Sequence, residues 1–568
     1  MLDILMMPGR LLYSMMAMLG IRYYIAVAFA LHIVVLSSVY WIIIAEPSIE
    51  AEKTLRFSIV TGLEEFLSDK DDDALEGGKN AFPDLTEFTP GKEKEKIAEK
   101  ADAKALTSPK VVNVRDKGTS GRATVAPIES RALGNLLEGN ALTSGEDNAG
   151  AGDIPAGYGL RGKGKKGQGL ATYGGGKKTE DAVALGLLWL RNHLHLDEYK
   201  DKNGKIIQIG WWDPTTFHKD ARDMGARPDQ SNMGNNSTSA TRDYVVGVTS
   251  LALLAFLGAG NTTTDGDYTD VVSRVINYLL KVQKNGRFGD SNNYNHFFAT
   301  EALAEALILT SDKRLREPLL IALNAAVKNI VESQNLAGGW DYRNSKYSQR
   351  NDSSLTSLAL IALKSSEYAG INVPRSTYLK IIHHYKRLTD VDGYLFYGDV
   401  NAREDKRKGA GMLATSIFCR LMLGQDRNNS TIRKQVELLK LYLPDQSKID
   451  TLDNSYYAWF MGTLGCFFYG GDTWSQWNAA AKPALLSVQE LTGHRVGSFK
   501  TAGMWCWAGG RIYSTAINVL NLEIYYRYIP GFFLEDSKKL AKFWEDDELL
   551  LDALEDGEKM RQLQLPHR

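Results

Sequence analysis

The sequence contains few cysteines, which limits the chemistry that thiols could supply. Three occur among 568 residues, at Cys419, Cys466 and Cys506, and no two of them form a CxxC pair. Their spacing matches no structural zinc motif, and an odd number argues against a disulfide framework. We therefore expect buried, unreactive thiols that behave as small apolar side chains.

The chain also lacks an excess of charge of either sign. Lysine and arginine number 67 against 68 aspartate and glutamate residues, a net charge of -1. No global basic field is available to hold a polyanion, so nucleic acid is excluded as a partner. The Gly- and Lys-rich stretch 149–178 contains neither GxxxxGK(S/T) nor a strand–GxGxxG–helix context. Its composition favours a flexible spacer over a phosphate-binding loop.

One long segment lacks charged residues altogether. Residues 23–45 contain no Asp, Glu, Lys or Arg, and Arg10 and Arg22 precede them while acidic residues follow. About 20 apolar residues suffice to cross a bilayer as a helix. The charge bias predicts a cytoplasmic amino-terminal segment at 1–22, a single transmembrane helix at 23–45 and an extracytoplasmic remainder, periplasmic in a Gram-negative cell. A cleaved signal peptide is the alternative, but the run is long for a signal and no clear cleavage site follows.

The remainder of the chain divides into three parts. Residues 46–178 are rich in charge, Gly and Lys and predict a mostly disordered linker, with a short strand near 54–61. From 179 to 531 apolar residues recur at helical spacing, and 532–568 predict a charged helical tail. The helical segments, about twelve in number, lie near 180–196, 238–258, 268–284, 294–310, 315–334, 352–370, 375–388, 408–424, 430–444, 455–468, 473–491 and 510–528.

A glycine–aromatic corner recurs between these segments. Residues 334–340 read QNLAGGW, of the form QxxxGxW, and 283–288 read QKNGRF, one residue shorter. The glycine–aromatic part returns at Gly210, Gly393 and Gly497. The later corners fall roughly 50 residues apart, with one step missing before the last. Glycine permits the sharp turn that ends one helix, and the aromatic ring fills the wedge between helix pairs.

These corners resemble the prenyltransferase and squalene-oxidase repeat, which builds the α/α toroid of squalene–hopene cyclases and prenyltransferases. The resemblance covers residues 179–531, and the stretches 351–374, 470–478 and 509–530 are similar to a bacterial membrane-anchored branch of this superfamily. It implies an all-α fold, an (α/α)6 toroid of the terpenoid cyclase type, preceded by one transmembrane helix and a flexible linker.

In such a toroid the inner helices run parallel and start at one mouth of the cavity. Here the starts are expected near Asp243, His296, Asp352, Lys408, Tyr456 and Arg511. Backbone NH groups at those starts favour an anion or a polar headgroup. The resemblance implies a set of cavity-mouth residues, namely Asp243, His296, Tyr342, Tyr456, Tyr457, Trp459, Trp505, Trp507 and Arg511. Aromatic members of this set would hold a polyisoprenoid or stabilise carbocations, and packing at the repeat turns is the alternative role.

The catalytic signatures of the related enzymes are absent from 179–531. Hopene-type cyclases use an acid from a DxDD motif, and the one such string, at 69–72, lies in the predicted linker. The nearest acid in the toroid is Asp352, a candidate catalytic residue for which helix N-capping is the alternative. Protein prenyltransferases bind zinc through an Asp two residues before a Cys, and Met504 occupies that place before Cys506. We therefore predict no metal and no cofactor.

Two function classes follow from these features. The first is a tethered binding or scaffold module that presents its mouth or rim to a lipid, glycan or protein partner. The second is a terpenoid-cyclase-like or prenyl-transfer enzyme that acts on an isoprenoid lipid in the central cavity. A deep aromatic pocket with a buried acid would favour the enzyme, whereas a plugged centre with a polar rim would favour the module.

Overall fold

The computed structural model describes residues 156–162, 165–220, 242–289, 292–348, 350–398, 409–503, 505–529 and 537–563. The predicted cytoplasmic segment, the transmembrane helix at 23–45, the strand near 54–61 and most of the linker lie outside these ranges. Within the ranges no helix has both the length and the apolar character needed to cross a bilayer.

The described residues are mostly helical. In chain order the α-helices are α1 Lys166–Tyr173, α2 Lys177–Asn192, α3 Val245–Gly258, α4 Thr269–Val282, α5 Asn293–Leu309, α6 Lys313–Ser333, α7 Ser353–Tyr368, α8 Arg375–Leu388, α9 Ala410–Met422, α10 Ser430–Leu439, α11 Tyr456–Tyr469, α12 Gly471–Ser487, α13 Cys506–Leu522, α14 Ile524–Arg527, α15 Lys542–Glu545 and α16 Asp547–Leu563. The segments predicted from apolar spacing correspond one by one to α2 through α13, so those helix predictions are confirmed.

Within the described residues, six helices form a closed inner ring. They are α3, α5, α7, α9, α11 and α13, each packed against the next, and α13 packs back against α3. The ring lies inside an outer layer made of α2, α4, α6, α8, α10 and α12. α7 illustrates the difference between the layers, since its residues from Ser353 to Ser366 are buried without interruption. A helix surrounded by other helices buries every face, whereas an outer helix such as α4 buries one stripe.

The glutamine of the repeat holds neighbouring outer helices together. At the end of α6 the Gln334 side-chain amide donates to the Gly338 carbonyl at 2.9 Å and to the Thr377 carbonyl in α8 at 3.1 Å. Gln489, after α12, donates in the same way to Ala182 in α2 at 2.8 Å. The same contact therefore closes the ring between its last and first helix pairs.

The glycine of the repeat is required by a close approach of two backbones. Gly338 has φ 93°, and a Cβ there would collide with the carbonyl oxygen of Lys380 in α8. Gly497 has φ 90° and lies against the carbonyl of Leu185 in α2 in the same way. An L-residue at either position would be strained and would push the next outer helix away.

Two connections depart from the repeat expected from the sequence. Gly210, predicted as part of a glycine–aromatic corner, lies in strand β2 (Ile206–Trp211), which pairs antiparallel with β1 (His195–Lys200) between α2 and α3. The fold is thus not purely α-helical. The connection from α10 to α11 contains three short 3-10 turns in place of a corner, which explains the missing step in the repeat.

The segment before α2 is ordered, although residues 156–178 fall in the predicted linker. Arg161 is 2% exposed, and its Nε donates to the Arg527 carbonyl at 2.9 Å. The ring of Tyr158 contacts that of Tyr368 at the end of α7, with 5.9 Å between centroids. The abundant glycine and lysine of this segment favoured the prediction of a linker, because only a few of its residues pack against the helices. The helical body therefore begins before residue 179, and its first residues fill the end of the ring where the inner helices finish.

The charged tail packs on the outer layer rather than lying free. Phe543 and Trp544 are buried, and the Lys386 ammonium of α8 lies 2.6 Å from the Asp547 carboxylate. The Trp544 indole NH donates to the Leu423 carbonyl at 3.1 Å. These contacts attach the tail beside α8 and the end of α9.

Candidate ligand cavity

A cavity of about 520 Å³ opens where the inner helices begin. Successive inner helices run parallel, so the side chains of their first turns converge at one mouth. Its aromatic lining residues are Tyr244, Tyr294, Phe298, Tyr342, Tyr397, Tyr457, Phe460, Trp505, Trp507 and Tyr513. Glycines such as Gly247, Gly409 and Gly411 also face the cavity and leave space between these rings.

The polar groups of the wall are largely engaged with one another. The Tyr342 and Tyr397 hydroxyls lie 2.5 Å apart, and the Tyr294 hydroxyl lies 3.3 Å from the Ser354 hydroxyl. The Tyr457 hydroxyl lies 3.0 Å from that of Thr415 behind the wall. Because these hydroxyls bond within the protein, the tyrosines present mainly their rings to the cavity.

Two further polar lining residues, Asn292 and Asp453, are also engaged. The Asn292 amide donates to the Tyr244 hydroxyl at 3.2 Å. Asp453 accepts a hydrogen bond from the Ala410 backbone NH at 2.8 Å. The cavity therefore offers a mostly apolar, aromatic surface to a ligand.

Asp352, the predicted catalytic candidate, lies fully buried behind the cavity wall and caps α7. Its Oδ1 accepts hydrogen bonds from the Ser354 and Leu355 backbone NH groups at 2.8 and 3.1 Å and from the Ser354 hydroxyl at 2.5 Å. Burial raises the pKa of Asp352, while hydrogen bonds from Ser354 and Tyr397 and the charge of Arg350 act in the opposite direction. Burial is the largest of these influences, so the net shift of the pKa is upward. Asp352 is therefore a weaker acid than usual, which does not suit it to protonate an alkene.

The structure brings four of the predicted mouth residues together. Tyr342, Tyr457, Trp505 and Trp507 line the cavity, and the Trp507 ring contacts that of Tyr244 with 6.2 Å between centroids. Trp507 is 42% exposed and therefore lies at the opening.

Five other predicted residues have different positions. Asp243 is exposed, and its backbone carbonyl accepts a hydrogen bond from Asn295 at 2.5 Å. Tyr456, Trp459 and Arg511 are buried. The Tyr456 hydroxyl and the Arg511 guanidinium bond to carbonyls at the last repeat corner, and the Trp459 indole NH bonds to Asn454 in the connection from α10 to α11. His296 is also buried, and its Nδ1 accepts from the Phe288 backbone NH at 3.3 Å. Packing at the connections between helices, in place of a role in the cavity, accounts for these buried side chains.

Several lining residues were not singled out from the sequence. They are Tyr244, Tyr294, Phe298, Tyr397, Phe460 and Tyr513. Tyr244 and Tyr294 lie at the starts of inner helices, close to predicted residues. Their place at a helix start could therefore have identified them as lining residues from the sequence. Tyr397 comes from the loop after a repeat corner, and no local pattern marks it.

Buried histidines give the fold a pH dependence. Burial lowers the pKa of His296 to about 3, from 6.5. Below pH 6.5 the unfolded chain binds a proton that the folded chain does not, so stability falls as pH drops toward 3. We expect His296→Phe to reduce this slope by up to about 1.4 kcal/mol per pH unit between about pH 5.5 and 4. Urea unfolding followed by tryptophan fluorescence at several pH values measures the slope of stability against pH. An unchanged slope in the variant would show that His296 does not cause this pH dependence.

The described residues contain no group of three or more His, Cys, Asp or Glu side chains arranged to hold a metal ion. Cys419, Cys466 and Cys506 are all buried, as expected for structural thiols. Burial raises the pKa of Cys419 to about 12, so its thiol stays protonated at neutral pH.

Comparisons with known proteins give little beyond this geometry. No family model matches the chain. No curated protein matches it either. Among solved structures, a reducing-end xylose-releasing exo-oligoxylanase is similar at 10% sequence identity and a TM-score of 0.36, over 64% of this chain and 96% of that chain. This similarity is too distant to bear on substrate or chemistry, and the toroid rests on the helix contacts described above.

Proposed function

We propose that this toroid is a binding module that takes the apolar part of an isoprenoid-class lipid into the cavity at its mouth. The observation that carries the proposal is the ring of aromatic side chains around a cavity of about 520 Å³. Ligand sites typically enclose roughly 300–1,000 Å³ and are lined by apolar and aromatic groups with few polar ones.

The hydrogen bonding of the wall favours a lipid over a glycan. Sugar recognition requires donors and acceptors for many hydroxyls, as well as ring faces. Here Tyr342 bonds to Tyr397 and Tyr294 to Ser354, so these groups are already satisfied. Displacing such bonds to bind a sugar would cost free energy, whereas an apolar chain leaves them intact.

The position of Asp352 favours binding over catalysis. Alkene protonation requires a strongly acidic proton that faces the substrate in a dry pocket. Asp352 does not line the cavity, and its Oδ1 serves as the N-cap of α7. The proposal therefore takes the class of ligand from the resemblance to terpenoid cyclases, but not the reaction that those enzymes catalyse. The predicted helix at 23–45 would hold the module near the membrane where such lipids occur.

Photolabelling tests this assignment on the full-length chain in membranes. We expect a photoreactive farnesol analogue to label peptides that contain residues 292–298 and 409–412, because both line the cavity. Excess farnesol should abolish the labelling, and a soluble xylo-oligosaccharide should not. Peptide mapping by mass spectrometry identifies the labelled peptides and measures the extent of labelling.

Matched variants control this experiment. Gly411 faces the cavity, and a Cβ there meets the Tyr457 ring at 3.4 Å, so Gly411→Phe should fill the space and prevent labelling. Gly167 in α1 has nothing within 4 Å of the position that an added Cβ would take, so Gly167→Phe should label as the parent chain does. Equal labelling of both variants, competition by the sugar, or a cyclised product would each overturn the proposal.

A further inference from the structure

Glu523 buries a carboxyl group at the end of the ring where the inner helices finish. It directly follows α13 and is 0% exposed, and neither of its carboxyl oxygens hydrogen-bonds to any of the described residues. It also lies so close to α3 that a Cβ at Gly258 would collide with its Oε2. Burial removes the hydration of an ionised carboxylate, which then requires hydrogen-bond donors in compensation. The surroundings of Glu523 therefore suit a neutral carboxylic acid.

The charged groups around Glu523 do not balance if all of them are ionised. Within the described residues, the cluster at this end of the ring contains four carboxyl groups and three cationic groups, namely those of Glu180, Glu301, Glu305, Glu523, Lys166, Arg161 and Arg527. One bound proton would balance these charges. Glu305 lies 2.6 Å from Arg161 and Glu180 lies 3.7 Å from Lys166, so these two carboxyls are paired as carboxylates.

Glu301 and Glu523 are then the two places for the proton. Burial raises the pKa of both carboxyl groups. Glu301 accepts a hydrogen bond from Arg527 at 3.3 Å, whereas Glu523 accepts none from the residues that the structure describes. A donor stabilises the ionised form, so the hydrogen bonding favours Glu523 as the protonated group.

The strap, which we define as residues 156–162 together with α1, covers this carboxyl group. In α1 the Lys166 ammonium lies 4.8 Å from the centre of the Tyr526 ring. A Cβ at Gly169 would collide with the Tyr525 carbonyl oxygen, so α1 lies directly on the chain that follows α13. A short segment held by few contacts opens with less free energy than a closed ring of helices. Opening of the strap is therefore the least costly way to bring water to the buried carboxyl group.

We propose that Glu523 is a proton-binding site that latches the strap onto the ring. Its carboxyl group is neutral while the strap is closed, and it releases its proton to water when the strap opens. Opening would also expose Glu301 and Glu305 at the end opposite the cavity. The predicted linker would then meet the ring at α2 instead of at the strap.

The latch has a defined pH dependence. Burial, with a smaller contribution from Glu180, raises the pKa of Glu523 well above 4.5, although Arg527, Lys166 and Arg161 act to lower it. In the open strap the carboxyl group is hydrated and its pKa returns toward 4.5. The open form therefore binds fewer protons above pH 4.5, and opening becomes more favourable as the pH rises.

Hydrogen exchange of the α1 amides tests the latch on the full-length chain in detergent. Glu523→Gln has the shape of the neutral acid but cannot ionise. At any one pH the parent and the variant share the same intrinsic exchange rates, so the ratio of their rates in α1 compares strap opening. We expect the parent to exchange faster, by a ratio that rises by up to about tenfold per unit between about pH 5 and 7. Glu332→Gln, on the surface of α6, should exchange in α1 as the parent does at every pH.

Infrared spectroscopy detects the bound proton itself. The carbonyl of a neutral carboxylic acid absorbs at a higher frequency than a carboxylate or an amide. The parent should show this band at pH 7, and the band should be lost in Glu523→Gln and retained in Glu301→Gln.

Three results would overturn the proposal. They are a ratio of exchange rates that does not change with pH, faster exchange of α1 in Glu523→Gln than in the parent, and loss of the infrared band in Glu301→Gln instead. Failure of Glu523→Gln to fold would overturn it as well, because a neutral side chain of the same shape should be tolerated. Photolabelling of the cavity does not depend on the latch, so the two proposals can fail separately.

Discussion

Replacing Glu305 with glutamine should lower the free energy of unfolding by about 3–5 kcal/mol at neutral pH. Glu305 is fully buried in α5, and its two carboxylate oxygens accept from Arg161 at 2.6 Å and Arg527 at 3.1 Å. The Tyr528 hydroxyl donates to it as well, at 3.2 Å. Neutralising this carboxylate leaves two buried guanidinium groups without their main counter-charge, which is the costly way to break such a pair.

The pH dependence of this effect has a defined direction. Burial acts to raise the pKa of Glu305, but the charges of Arg161 and Arg527 outweigh it and lower the pKa to about 2. A carboxyl whose folded pKa lies below its unfolded pKa of 4.5 stabilises the fold above pH 4.5. That contribution is lost as pH falls through about 2, so the full effect is present at pH 7.

Urea unfolding of the full-length chain, followed by tryptophan fluorescence, measures the loss. Glu332→Gln is the matched control, because Glu332 is 65% exposed and lies 3.8 Å from Lys328 on the surface of α6. That substitution should cost less than about 1 kcal/mol. Similar losses in the two variants would show that the buried cluster does not attach residues 156–162 to the ring.

Replacing Gly338 with alanine should destabilise the toroid by about 2–5 kcal/mol, in two parts. Placing an L-residue at φ 93° costs about 1–2 kcal/mol. The collision of the new Cβ with the Lys380 carbonyl adds about 1–3 kcal/mol, since the close-packed α8 must move. The same denaturation experiment measures both parts together.

A substitution at Gly370 separates the conformational cost from the cost of the collision. Gly370 has φ 91°, and nothing lies within 4 Å of an added Cβ, so Gly370→Ala carries the conformational cost without the collision. The difference between the two variants then reports the contact between the repeat corner and the neighbouring outer helix. If Gly338→Ala and Gly370→Ala cost the same, the close approach of the corner to α8 does not contribute to stability.

The cavity and the buried charge cluster lie at opposite ends of the inner ring. Tyr158 and Arg161 occupy the end where the inner helices finish, near the Leu257 carbonyl of α3. The cavity occupies the end where they begin. A ligand that enters the toroid is therefore expected to use the mouth.

The helix boundaries and the repeat corners could be predicted from the sequence because local interactions determine them. Apolar residues at helical spacing mark α2 through α13, and a glycine with positive φ, such as Gly338, leaves a signature in the sequence itself. The closed ring followed from the regular interval between these corners. The prediction of a flexible spacer for the Gly- and Lys-rich segment was wrong for its described residues. The composition gave no sign that Arg161 is buried, because that burial depends on partners far away in the sequence.

The candidate site depends on tertiary structure to a much greater degree. Tyr456 and Tyr457 are adjacent in α11, yet the Tyr456 hydroxyl donates to the Lys500 carbonyl while Tyr457 lines the cavity. Consecutive residues of a helix point about 100° apart, and only the packing of neighbouring helices decides which direction faces the centre. The sequence by itself determined where helices and corners form. Which aromatic rings surround the cavity, and which acids lie behind its wall, was decided when the ring closed and brought residues from distant repeats together.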